Sequence, residues 1–184
     1  MKTYLLVNID RCWGCKSCLT ACKREHGYAP DAPDAIDVAR LEGMDEHGQV
    51  QCDFLPLMCL HCDHPACAAS CPAGALRKQE NGHVLLDESL CVGCGKCEKA
   101  CPYGAVAIDR ARRKALKCDL CRERCSRGLI PSCVQHCMGH ALSLITEDEL
   151  PTPRDGLYIW SCGQVVYTSE KLSALGQALG PATP

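Results

Sequence analysis

Cysteine recurs in this chain at fixed short spacings, four times over. The first group is Cys12, Cys15, Cys18 and Cys22. The second is Cys59, Cys62, Cys67 and Cys71. The third is Cys91, Cys94, Cys97 and Cys101. The fourth is Cys118, Cys121, Cys133 and Cys137. Groups one and three read C-x2-C-x2-C-x3-C; group two widens its middle gap to four residues and group four to eleven. Internal repetition of this kind constrains the architecture before secondary structure is considered, because every group must close on something. Cys52, Cys125 and Cys162 fall outside the pattern and bring the total to nineteen in 184 residues.

Three uses of so many thiols compete. Small secreted proteins use them for disulfides. Against that reading, the apolar stretch Tyr4 to Ile9 is too short for the core of an export signal, and no Arg-Arg pair precedes it. The cysteine count is also odd and the spacing too regular for a disulfide framework. Zinc sites want two CxxC knuckles and four ligands. A third cysteine two residues on and a fourth after three more are surplus to that, so only group four passes as a zinc site. Iron–sulfide cubanes fit all four groups. Three thiolates two residues apart wrap three corners of a cubane on one tight loop, and Gly14, Gly93 and Gly95 supply the positive φ such a loop needs. The three residues before the fourth cysteine make about one helical turn. That turn aims the fourth cysteine at a different cluster, as in the C-x2-C-x2-C-x3-C-P run of two-cluster ferredoxins. Pro72 and Pro102 then redirect the backbone. Sixteen cysteines therefore point to four [4Fe–4S] clusters and to electron transfer.

Composition agrees. Aromatic residues are only 4%, with a single Phe54, so an ordinary apolar core is hard to assemble. Clusters would fill the interior, and the iron-free polypeptide should not fold. The formula charge of −2 rises in magnitude to about −10 once four clusters are added, so neither nucleic acid nor an anionic membrane is an expected partner. The basic run Arg110, Arg112, Arg113, Lys114 and Lys117 is either a solvated hairpin or a device that offsets cluster charge or meets an acidic partner. No apolar run reaches the ~18–20 residues needed to span a bilayer. With no glycine-rich nucleotide loop, no Ser-His-Asp set and no Cys-His pair independent of the groups, no catalytic residue is expected.

Short strands are predicted at 4–9, 105–108 and 141–145. A hairpin is predicted from Ala75–Lys78 through a two-residue Asn81-Gly82 turn to His83–Leu86. Helical turns should follow Cys18, Cys67, Cys97 and Cys133. Residues 27–55 read as an insert with a hairpin, Ile36–Arg40 and Gln49–Phe54. Tyr158–Trp160 and Val165–Tyr167 read as strands, and Leu172, Leu175 and Leu179 as the stripe of a final helix. His61, His64, His136 and His140 lie beside ligands rather than replacing them. Cys52, Cys125 and Cys162 are expected to be unligated, and Trp13 to shield a cluster from water.

The stretches Met58-Cys59-Leu60-His61-Cys62-Asp63-His64-Pro65-Ala66-Cys67 and Lys117-Cys118-Asp119-Leu120-Cys121 carry a resemblance. Over about residues 1–146, the sequence resembles the four-cluster iron–sulfur subunits that accompany molybdenum or tungsten bis-pterin oxidoreductases. These include the dimethyl sulfoxide, polysulfide, thiosulfate and nitrate reductases and formate dehydrogenases; related proteins serve formate hydrogenlyase and carbon monoxide dehydrogenase. The resemblance implies that groups one and four pair, as do two and three. One cluster would take Cys12, Cys15, Cys18 and Cys137. Its neighbour would take Cys118, Cys121, Cys133 and Cys22. A third would take Cys59, Cys62, Cys67 and Cys101, and the fourth Cys91, Cys94, Cys97 and Cys71. Some relatives lose a cysteine of group three and hold a [3Fe–4S] cluster; Cys94 is present here. Cys22 and Cys137 depart from the pattern in being followed by Lys23 and Met138, not Pro.

The implied fold is α+β, with two ferredoxin-like dicluster lobes. Residues 1–52 and 112–184 form a discontinuous lobe into which residues 53–111 are inserted. The implied partners are a large Mo/W-bis-pterin catalytic subunit and either a membrane-anchor subunit or a soluble redox carrier. The implied location is the cytoplasm, or beyond the membrane after export in the folded state with a signal-bearing catalytic subunit. A free polyferredoxin is the competing reading.

Overall fold

A computed structural model describes residues 2–44 and 47–171. The expected stripe at Leu172, Leu175 and Leu179 lies outside the described residues. The first elements are strand β1 (Thr3–Asn8), a 3-10 turn and helix α1 (Ser17–His26). A long hairpin follows, β2 (Ile36–Met44) with β3 (Val50–Met58), and then the one-turn helix α2 (Ala66–Ala69). Next come hairpin β4 (Leu76–Lys78) with β5 (Val84–Leu86), helix α3 (Lys96–Ala100), and hairpin β6 (Ala107–Asp109) with β7 (Lys114–Leu116). Helices α4 (Arg122–Ser126) and α5 (Ser132–Gln135) precede strands β8 (Leu142–Thr146), β9 (Tyr158–Cys162) and β10 (Val165–Ser169).

The first strand finds its partners far along the sequence. One sheet has the order β8-β1-β10-β9, with β1 and β10 parallel and the other pairs antiparallel. Every residue of β10 is buried, as are Leu5 and Val7 of β1, as befits strands central to a sheet covered on both faces. Tyr167 ties the sheet to the long hairpin by donating its hydroxyl proton to the Pro56 carbonyl at 2.9 Å. Ser132 at the start of α5 donates to the Ala21 carbonyl of α1 at 3.2 Å, so the first and fourth cysteine groups share a helix contact.

Buried apolar residues gather in two places. The larger set draws on segments far apart in sequence: Leu5, Val7, Ile36, Leu55, Leu116, Leu142, Trp160 and Tyr167. The smaller is confined to residues 67–115 and contains Leu76, Val84, Val106 and Ala115 with Cys67 and Cys97.

Three strand starts differ from expectation for one shared reason. Ala75, Ala105 and Ala141 donate their N–H groups to the sulfurs of Cys71, Cys101 and Cys137, at 3.3, 3.4 and 3.2 Å. An N–H spent on sulfur cannot join a ladder, so the strands begin only after these alanines: at Leu76 and Leu142 directly, and at Ala107 one residue further on. The β4–β5 turn also differs from a two-residue Asn-Gly turn. Gln79 N–H donates to the His83 carbonyl at 2.7 Å and Gly82 N–H to the Gln79 carbonyl at 3.0 Å. Glu80, Asn81 and Gly82 thus form a three-residue loop with Gly82 at φ +90°, the bulged alternative that Gly at the left-handed position selects.

Candidate iron–sulfur centres

Each cysteine group opens on a backbone arch of the same shape. The residue before the second cysteine has positive φ in all four: Gly14 at 68°, His61 at 55°, Gly93 at 69° and Leu120 at 58°. The glycines are legible in the sequence. His61 and Leu120 are not, because a left-handed histidine or leucine costs on the order of 1–3 kcal/mol and persists only where surroundings over-determine it. Gly93 is held doubly, since a Cβ there would lie 2.3 Å from the Arg113 carbonyl oxygen. Gly93→Ala is therefore expected to cost about 1–2 kcal/mol in backbone conformation and about 1–3 kcal/mol more in displaced neighbours. It should lose most of the iron carried by group three. Gly104→Ala is the control: φ there is +62° but nothing lies within 4 Å of the added carbon. Iron content and thermal melting of the two variants check the difference.

The cysteines meet in crossed sets. Cys118, Cys121, Cys133 and Cys22 line one narrow apolar cavity with Leu5, Ile36, Met58 and Leu120. Cys91, Cys94, Cys97 and Cys71 line a second, and Cys59, Cys62, Cys67 and Cys101 a third. Cys18 lies close enough to Cys12, Cys137 and Cys15 for their charges to bear on it, after burial, which pushes its thiol up to about 11. In every set three sulfurs come from one sequence group and one from another.

Burial dominates the electrostatics. It drives the Cys118 thiol well above its ordinary value, with Cys133 adding to the effect. Burial also raises Cys67 and Cys121 to about 11 each. Four thiols in a dry pocket cannot all ionise unless a cationic centre compensates them. Such a donor set, soft and without carboxylates among the four sulfurs, fits an iron–sulfide core. At Cys71 burial is opposed, and outweighed, by the N–H groups of Ala75, Leu76, Ala73 and Gly74, so the thiol falls below its ordinary value. The same N–H···S device serves Cys91 through Ala115 at 3.3 Å and Cys118 through Leu120 at 3.4 Å. Hydrogen bonds to sulfur are one lever on cluster potential. Cys22 departs from the other fourth cysteines, since α1 continues to His26 and keeps the following N–H groups within the helix.

Lysines clamp the loop carbonyls. Lys78 Nζ donates to the carbonyls of His61 and Cys62, both at 2.8 Å, and pairs with Asp63 at 3.1 Å. Lys114 Nζ donates to the carbonyls of Glu88 and Cys91 at 2.6 and 2.7 Å. Lys117 Nζ donates to the carbonyls of Val84 and Cys118. The basic run is thus divided. Arg110 and Arg113 are exposed on the β6–β7 turn, Arg112 pairs with Glu88 at 2.6 Å, and the two lysines turn inward.

Among the histidines, His64, His136 and His140 are exposed, whereas His61 is wholly buried and accepts the Val84 N–H on Nδ1 at 2.8 Å. Burial first, then the charges of Lys117, His83 and Lys78, hold His61 well below the ordinary histidine range, so it is neutral. Cys52 is exposed and receives Arg40 Nε at 3.2 Å. Cys125 donates to the Leu120 carbonyl at 3.4 Å. Cys162 is buried, with the Tyr103 hydroxyl 3.8 Å from its sulfur. Trp13 does not bury itself over a cluster: it is 65% exposed, on the outer side of its loop near Gly139.

This arrangement is matched by a 4Fe-4S dicluster domain over residues 50–147 and a 4Fe-4S binding domain over residues 9–28. The protein is a member of the 4Fe-4S dicluster family of reductase iron–sulfur subunits and binds [4Fe–4S] clusters. It is 37% identical over 150 residues to one of the chains of anaerobic dimethyl sulfoxide reductase from Escherichia coli (strain K12), the match covering 78% of this sequence and 73% of the relative. It is 38% identical over 138 residues to one of the subunits of tetrathionate reductase from Salmonella typhimurium (strain LT2), covering 74% and 55% respectively. The corresponding tetrathionate reductase subunit from Archaeoglobus fulgidus is 40% identical over 119 residues, covering 65% of this sequence and 55% of that one.

Proposed function

We propose that this protein relays electrons through four [4Fe–4S] clusters, between a molybdenum- or tungsten-bis-pterin catalytic subunit and a second redox partner. The observation that carries this reading is the crossing of the cysteine sets. Each brings together four sulfurs from two distant segments, and no sulfur serves twice. Clusters bound there would each store one electron, at potentials set by hydrogen bonding, charge and exposure.

The sixteen cysteines are the proposed ligands, in the four sets described, and the protein does no chemistry on substrate itself. The neighbours of the sulfurs support an order for the sets. Cys133 is influenced by Cys18 of the first set, and Cys118 by Cys59 of the next. Cys67 and Cys97 then share one apolar core. Cys15 and Cys94, at the two extremes of that order, are both exposed. They mark where electrons would enter and leave.

The two apolar cores support the discontinuous-lobe arrangement, with shifted edges. Strand β3 pairs with β2 along its whole length and crosses residue 53, and hairpin β6–β7 crosses residue 112. The inserted lobe is better drawn from the loop after Met58 to Leu116. Among the described residues no helix is long and apolar enough to cross a membrane.

Anaerobic isolation of the tagged protein from its own host tests the proposal. About sixteen irons and sixteen sulfides per polypeptide are expected, with a large molybdenum- or tungsten-containing subunit eluting in the same fractions. Full iron content without a companion would instead favour the free carrier. Zinc in place of iron, or far fewer irons, would sink the reading altogether.

A further inference from the structure

We propose that Lys117 is the buried charge that raises the potentials of the two inner clusters and holds their binding loops together across the lobe boundary. The inference rests on the four-cluster reading above.

Lys117 is 5% exposed. Its ammonium donates to the Cys118 carbonyl, in the arch of group four, and to the Val84 carbonyl on β5. Val84 is fully buried and gives its N–H to Nδ1 of His61 at 2.8 Å. His61 in turn lies between Cys59 and Cys62, in the arch of group two. A continuous hydrogen-bonded link therefore runs from one inner loop to the other, through Lys117, Val84 and His61.

The charge itself is what needs explaining. Lys78 has Asp63, Lys23 has Asp34, Arg112 has Glu88 and Arg124 has Glu25. Among the described residues Lys117 has no carboxylate partner, only two carbonyls. A buried ammonium without a counter-ion is strongly disfavoured. The sulfurs on either side supply the compensation: Cys118, whose carbonyl the ammonium holds, belongs to one inner set, and Val84, whose carbonyl it also holds, lines the cavity of Cys59, Cys62, Cys67 and Cys101. A [4Fe–4S]2+ core with four thiolates carries −2, and gaining one electron makes it −3. A fixed positive charge nearby stabilises the reduced state more than the oxidised one, so both potentials rise. The outer sets lie beyond this contact.

The test is an EPR-monitored redox titration of the anaerobically purified holoprotein, comparing wild type with Lys117→Met, Lys117→Gln and Lys117→Arg. Gln keeps hydrogen-bond donors and removes the charge; Arg keeps the charge. In the Met and Gln variants, two of the four clusters should show at least a tenfold fall in the reduced-to-oxidised ratio at fixed solution potential, about 59 mV downward for one electron. The other two should be unmoved, and the Arg variant should move less than the Met variant. Unmoved potentials, a shift shared by all four clusters, an Arg shift as large as the Met shift, or loss of clusters from the Gln variant would each overturn the proposal. The last of these would leave Lys117 a merely structural role. Fewer than four clusters in the wild type would instead sink the functional reading itself.

Discussion

Iron removed by chelation under reducing conditions is expected to take most of the regular structure with it. Circular dichroism should show collapse of the folded signal, restored only when iron and sulfide are returned together. The elements around the cysteines are too short to stand alone. Helix α2 is four residues and α3 five, and the strands of β4–β5 and β6–β7 are three each. One-turn helices are far below the ~12–15 residues at which isolated helices become even marginal, and an isolated two-stranded hairpin is marginal at best. In the core of residues 67–115, only Leu76, Val84 and Val106 among the fully buried members exceed alanine or cysteine in size. So few aliphatic side chains leave that interior to the clusters. Amide protection should survive, if anywhere, in β1 and β10, which pair with each other and pack against aliphatic and aromatic residues as well as cysteines. An iron-free polypeptide with a native spectrum would contradict the picture of clusters as interior.

Paired cysteine removals should reveal the crossing directly. Cys71 sits in sequence with Cys59, Cys62 and Cys67, but lines a cavity with Cys91, Cys94 and Cys97. Cys71→Ala combined with Cys94→Ala is therefore expected to lose about four irons, the content of one cluster. Cys71→Ala combined with Cys62→Ala should lose about eight irons, the content of two. Ligation within sequence groups would give the opposite order. Iron analysis of the single and double variants, read as a double-mutant cycle, decides between them.

Much of this is legible in the residues, for physical reasons. Cubane ligation needs thiolates at short, repeated spacing, and nothing else in the sequence mimics that pattern. Asn81-Gly82 and the facing segments Ile36–Arg40 and Gln49–Phe54 announce hairpins. What escapes is long-range or unconventional. Parallel pairing of β1 with β10 joins residues such as Leu5 and Val165, and no local signal specifies a partner so distant. Three strands start late because alanine N–H groups are diverted to sulfur. His61 and Leu120 adopt a backbone conformation that their side chains disfavour, so only the glycines at the equivalent positions of groups one and three give the arch away. Lys117 reads as one member of a basic run; its inward turn depends on carbonyls brought near it by Val84 and Cys118. Trp13 stands next to a cysteine in sequence, yet its ring faces outward.

The place of β1 in its sheet bears on biosynthesis. Residues 3–8 leave the ribosome well before their parallel neighbour, residues 165–169. At ~5–20 residues per second, translation of the intervening stretch takes roughly 8–30 s. Until β8 is made the opening strand has no lateral partner, and until β10 is made it has only one; in the proposed pairing Cys12, Cys15 and Cys18 also await Cys137. Under the proposed pairing, a cluster at this end of the molecule can close only after the later segments are made, whereas the eight proposed ligands of the central stretch all emerge earlier.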